Sequence, residues 1–191
     1  NVSWCLETDS GNGVLVWAHN AHVQRGSFDM AHDWAAGTAM GEFLARNHGD
    51  SYRPYASTFA RGSYRAVPDV EETDERQPRA FTAAEPPPDA VVHAVTGTGE
   101  SESSAPVSPT AATHDDSRAG STRFFDIAGA RTDRRLRDWV ADERRLRAVP
   151  ALVDPDADAE RRYAQTDIAA SFDGLFVVPE SSPSRPIDTT D

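Results

Sequence analysis

The sequence predicts an α/β protein, and three observations carry that reading. Val14-Leu15-Val16-Trp17 is a continuous apolar run of strand length, Asp33 to His48 repeats apolar residues at helical spacing, and Leu175-Phe176-Val177-Val178 returns to the strand type. A chain of 191 residues is long enough for one domain with a sizeable core. A hydrophobic content of 38%, with 13 prolines and 12 glycines, is lean and predicts that part of the length stays unpacked.

Taken in order, Val2, Cys5 and Leu6 read as the end of an amphipathic helix that begins upstream, with Cys5 buried on its apolar face. Asp9 to Gly13 is a turn by its Gly and Asn content. The strand that follows, Val14 to Trp17, runs into His19 and His22, and side chains just past the end of a buried strand are released into a crevice. Asp33 to His48 is a helix ended near Gly49, with Gly41 letting it approach the sheet closely. Tyr52 to Val67 shows alternation and aromatics suited to two strands or a hairpin turning near Arg61-Gly62.

Charge then replaces periodicity from Pro68 to Arg79. Pro86-Pro87-Pro88 precedes a short helix, Asp89 to Val95, with its acidic residue at the positive end. Residues 97–121 are rich in Ser, Thr, Gly, Pro and Asp and cannot offset their own ordering entropy, which predicts a disordered acidic insertion. Arg123 to Ile127 returns to strand. Asp133 to Val149 reads as a helix with Leu136, Trp139, Val140 and Leu146 on one face, and Asp167 to Val178 closes the fold with a helical turn and a strand.

Charge excludes several partners. All 19 basic residues are Arg, while Asp and Glu total 31, for a net charge of −12. Such a surface repels nucleic acid and anionic membrane. It costs little in molar salt, where the Debye length is roughly 3 Å, so the expectation is a cytoplasmic protein of a salt-accumulating halophile. A GC-rich genome accounts equally for the Arg and Ala, less well for the excess of Asp over Glu. A single cysteine, Cys5, allows no intrachain disulfide and fits a reducing compartment. No apolar run approaches the ~18 residues of a membrane span.

The chemistry concentrates at His19 and His22. Imidazoles close in sequence often share a zinc ion, but zinc takes three protein ligands even where it is catalytic, and the neighbours Asp29, His32 and Asp33 read as loop or helix start. A metal-binding module, structural or capping histidines, and an active site all stay open on the residues alone. Asn20 can orient a histidine or serve the turn, and Arg25 can reach a cleft and hold a carboxylate or oxyanion, or remain solvated. There is no Gly-x-Ser-x-Gly elbow, no phosphate loop and no dinucleotide fingerprint.

The order of several pieces decides between these. A strand followed by His19-Asn20-Ala21-His22, then Met40-Gly41-Glu42-Phe43-Leu44, Tyr55 through Tyr64, Phe124-Phe125-Asp126-Ile127, and a closing stretch from Tyr163 through Phe172-Asp173-Gly174-Leu175-Phe176 resembles the C-terminal half of the erythromycin esterase family. The resemblance implies a mixed sheet flanked by helices and a hydrolase that opens macrolide lactones or related esters with histidine-activated water, without a tightly bound metal or other cofactor. It makes His19 and His22 catalytic and the partner a small-molecule ester or lactone; Asn20 and Arg25, by their own chemistry and place beside the pair, are the candidate substrate-binding residues. It further implies that the general base, a supporting glutamate and an arginine lie on an N-terminal half upstream of Asn1. The chain then reads as a fragment, an inactive remnant or a split-gene subunit that needs a separately encoded partner.

Overall fold

The structure, a computed structural model, describes residues 2–8, 13–28, 37–69, 77–96, 121–149, 152–154 and 162–185. Its centre is a five-stranded mixed sheet built on β3 (Tyr55–Pro68) and β9 (Gly174–Ser181), which run parallel from Tyr55 opposite Gly174 to Gly62 opposite Ser181. On the far side of β9 lies β5 (Arg123–Asp126), antiparallel. β3 is long enough to change partners. Its second half pairs antiparallel with β4 (Arg79–Thr82) and, at Val67 and Pro68, parallel with β7 (Leu152–Val153).

The hairpin expected near Arg61-Gly62 is therefore one uninterrupted strand. Gly62 explains the difference: its φ of 110° bends the chain without reversing it, and a Cβ there would collide with the backbone of Ser181. Glycine at this place marks the hand-over from β9 to β4, not a turn.

The helices are short: α1 (Val2–Thr8), α2 (Asn20–Val23), α3 (Met40–His48), α4 (Val91–Thr96), α5 (Ile127–Ala130), α6 (Arg137–Ala141) and α7 (Ile168–Ser171). Asp126 and Asp167 cap α5 and α7, each carboxylate accepting from a backbone N–H three residues on. Two further pairs complete the set, β1 (Ser27–Phe28) with β2 (Gly37–Thr38) and β6 (Arg144–Arg147) with β8 (Tyr163–Thr166), both antiparallel. The core lies between the sheet and the helices, where Ala56, Val91, Val92, Ile127, Ile168, Phe172, Leu175 and Val177 are essentially sealed from solvent. A mixed sheet with helices is thus the architecture the resemblance implied.

Other expectations need correction. Val14 to Trp17 is not a buried strand: residues 13–19 are irregular, and Leu15 and Trp17 are each 91% exposed, because no described strand offers them a ladder partner. The helix expected over Asp133 to Val149 is a turn at Asp133, then α6, then β6. Leu136, Trp139 and Val140 do lie on or beside α6, but Leu146 belongs to a strand that pairs with β8, so its helical phase is a coincidence. The helix expected from Asp33 begins at Met40, after β2. α1 buries none of its residues, and Cys5 is half-exposed. Residues 9–12, Asp29, His32, Asp33 and residues 97–120 of the expected insertion lie outside the described residues.

Candidate active site

His19 sits at the N-cap of α2 with extended backbone, and its Nδ1 accepts the N–H of Ala21 at 3.2 Å. An Nδ1 that accepts carries no proton, so the neutral ring holds its proton on Nε2. Desolvation, and then the charge of His22, lower the pKa of His19 below 6.5. The ring of His22 stands edge-on, centroid 6.4 Å from that of His19. The four-residue helix therefore brings the two imidazoles next to each other.

The neighbours of the pair hold the turn in place. Asn20 lies against β3 with both amide atoms engaged by one residue: Nδ2 donates to Ser57 O at 2.7 Å, and Oδ1 accepts from Ser57 N at 3.0 Å. Arg25 pairs with buried Asp173 and donates to Tyr52 O at 3.2 Å; Asp173 is held from its other oxygen by Arg131 at 3.2 Å. The Tyr52 hydroxyl donates to Val23 O, and Glu42 accepts from Gly26 N at 2.7 Å. Gly41 of α3 packs against the carbonyls of Val23 and Gln24, so close that a Cβ would collide with them. Its close approach is to the histidine turn and not, as expected, to the sheet.

Two cavities flank this turn. One, of about 260 Å³, opens between residues 19–27, β6 and the segment from Ala164 to Ser171; Arg25 is on its wall. The other, of about 200 Å³, lies against β3 and includes Ser57, Thr58 and Phe59. His19, Asn20 and Arg147 line both, so these three residues divide one space from the other. Arg147 is 4% exposed, and burial lowers its pKa without taking its charge away. Among the described residues no group of three His, Cys, Asp or Glu side chains is placed to hold a metal ion.

Sequence reasoning missed Arg147, Thr58, Glu42 and Asp173 as parts of this region. Arg147 is one of several arginines in a short stretch with no local sign of which is buried. Asp173 stood within the closing motif, but its ion pair with Arg25 spans 148 positions, which no spacing rule reaches.

The chain matches the erythromycin esterase family over residues 1–181, a span that takes in the histidine turn, the sheet and the closing strand. It belongs to the erythromycin esterase family. Among curated proteins none matches it. This family member is similar in structure to a Bacillus cereus protein, with TM-score 0.67 and 18% identity over 96% of this chain and 37% of that one. It is similar also to a succinoglycan biosynthesis protein, at TM-score 0.66 and 16% identity over 95% of this chain and 36% of that one. A mutant of the erythromycin esterase EreC in its open conformation superposes at TM-score 0.54 and 13% identity, over 93% of this chain and 34% of that one. The chain thus spans little more than a third of each of these structures. No helix among the described residues is long and apolar enough to cross a membrane.

Proposed function

We propose that this chain supplies the carbonyl side of a carboxylic ester or lactone hydrolase, and that the base activating water comes from a further segment of the fold. The observation that carries the reading is the N-cap bond of His19. With Nδ1 occupied by Ala21 N–H, the neutral ring has one donor left, Nε2–H, on a residue that lines both cavities. A fixed neutral donor is what a developing oxyanion needs, since it costs no reorganisation as charge appears.

In this mechanism a base takes a proton from water, and the hydroxide attacks the carbonyl carbon. His19 Nε2–H holds the oxyanion. As the tetrahedral species collapses, the C–O bond to the leaving group breaks and the alkoxide takes a proton from His22. Water is the nucleophile, and no cofactor enters. Asn20 and Arg25, which line the larger cavity together with His19, position the histidine turn through Ser57 and Asp173 and present their remaining polar surface to the substrate. A space of about 260 Å³ lies below the roughly 300–1,000 Å³ of sites that enclose a drug-sized molecule, so it accommodates an acyl portion and not a whole macrolide. A cellular ester or lactone is as good a substrate as a macrolide on this reading.

The chain's coverage of little more than a third of its structural neighbours supports a base supplied from elsewhere. Assayed by itself, the chain is expected to show no ester turnover above background; joined to an N-terminal portion of the same family, it is expected to gain turnover. In that joined enzyme His19→Asn lowers kcat by roughly 10² or more, the usual scale for a lost positioned donor, and His48→Asn leaves it unchanged. Turnover by the chain alone, or a joined enzyme indifferent to His19 and His22, overturns the proposal.

A further inference from the structure

Arg147 and Thr58 line the same cavity of about 200 Å³, and each is 4% exposed. Arg147 Nε donates to Phe59 O at 3.1 Å, and Nη2 donates to Ala60 O and Ala84 O at 3.0 Å each. Its guanidinium carbon lies 4.7 Å from the centre of the Phe59 ring and 4.8 Å from that of Tyr163. These contacts fix the plane and direction of the fork. They leave Nη1 buried with no acceptor, and among the described residues no carboxylate pairs with Arg147. Thr58 Oγ1 is buried too, and among the described residues it has no hydrogen-bond partner.

A buried charge with a hydrogen bond left unmade is the most costly orphan a fold can carry, and a sheet has no structural need of one. The two residues that carry these donors line one cavity, and together they answer to a ligand that brings two acceptor oxygens. We infer that Arg147 and Thr58 form a carboxylate-binding subsite, one ligand oxygen accepting from Arg147 Nη1 and the other from Thr58 Oγ1. One guanidinium balances one negative charge, and a chain of net −12 disfavours a dianion such as phosphate. The cavity's size limits the ligand to a short acid or to the acid end of a larger one. The subsite goes beyond ester hydrolysis: it requires that a carboxylate bind, whether or not any bond is cleaved.

The test reads binding and not turnover. The full chain is titrated with sodium acetate, propionate and phosphate against sodium chloride at equal ionic strength, followed by amide chemical shifts. Saturable one-site binding of acetate and propionate is expected. Thr58→Val, which keeps the branched shape and loses only the hydroxyl, is expected to weaken it about tenfold, and Arg147→Gln to abolish it. If Arg147→Gln does not fold, Thr58→Val decides alone. The subsite is overturned by unsaturated shifts in the parent chain up to about 50 mM, far weaker than a built site gives, by unchanged affinity in folded Thr58→Val, or by phosphate binding as tightly as the carboxylates. A joined enzyme that hydrolyses esters without binding acetate would sink this subsite and leave the hydrolase standing, and acetate binding without turnover would do the reverse.

Discussion

His19 does two jobs with one ring, and the two can be separated by pH. Its Nδ1 caps α2 and its Nε2–H is left as the ring's one donor, an arrangement that holds only while the ring is neutral. Desolvation and the charge of His22 keep it so by lowering its pKa from 6.5. Above about pH 6.5 folded and unfolded chains both carry a neutral His19; below it the unfolded chain takes up a proton that the folded chain refuses, so stability falls as pH falls through the folded pKa. The parent protein is therefore expected to lose more melting temperature between about pH 7 and about pH 5 than His19→Asn does, since Asn keeps a cap and has nothing to titrate. Thermal melts at both values check this, and equal losses would mean that the ring is not held neutral. His19→Ala, which removes the cap acceptor, is expected to cost about 1 kcal/mol in urea titrations at about pH 7, where the ring is neutral, and less once it is protonated.

At the scale of elements, the histidine turn is only four residues long and owes its position to its neighbours. α3 approaches it backbone to backbone at Gly41, and Glu42, one residue on, caps Gly26. Gly→Ala in a helix ordinarily adds about 0.5–1 kcal/mol. Here the new Cβ meets the carbonyls of Val23 and Gln24, so Gly41→Ala is expected to destabilise by about 1–3 kcal/mol in urea unfolding, with the sign opposite to propensity. Sequence made α3, β5, α7, β9 and the His19–His22 pair legible, because each is a local pattern: a period, a cap, a short spacing. It misread Val14 to Trp17 and Leu146, where an apolar pattern depends on which partner strand is available, and Gly62, where a glycine reads the same in a bend and in a turn. Arg147 and Thr58 were beyond its reach, since burial of one arginine among many is decided by β3 and β8 meeting β6 across the chain.

At the scale of the whole molecule, arginine supplies the cation in the ion pairs among the described residues, and the charge balance around those pairs is lopsided. Arg25 and Arg131 converge on Asp173, Arg145 pairs with Asp89 and Arg61 with Glu180, yet 31 acidic groups face only 19 arginines. The exposed pairs contribute little singly, and salt screens them further. The unpaired acids repel one another over distances longer than any of these bonds, and salt screens that repulsion as well. The two effects oppose, and numbers decide between them: the excess is −12 for the chain as a whole, whereas the Arg25–Asp173–Arg131 group that anchors the site is part-buried and largely shielded from added ions. Raising potassium chloride from about 0.1 M to about 2 M shrinks the Debye length from roughly 10 Å to 2–3 Å, which removes long-range repulsion and leaves the buried anchor in place. Unfolding followed by circular dichroism is accordingly expected to move to higher temperature across that range. Asp173→Asn, which unpairs two arginines at the foot of the histidine turn, is expected to lower the melting temperature at both salt concentrations alike, because the anchor it removes is one that salt does not replace. A parent protein equally stable at both concentrations would show that the acidic excess does not govern its folding.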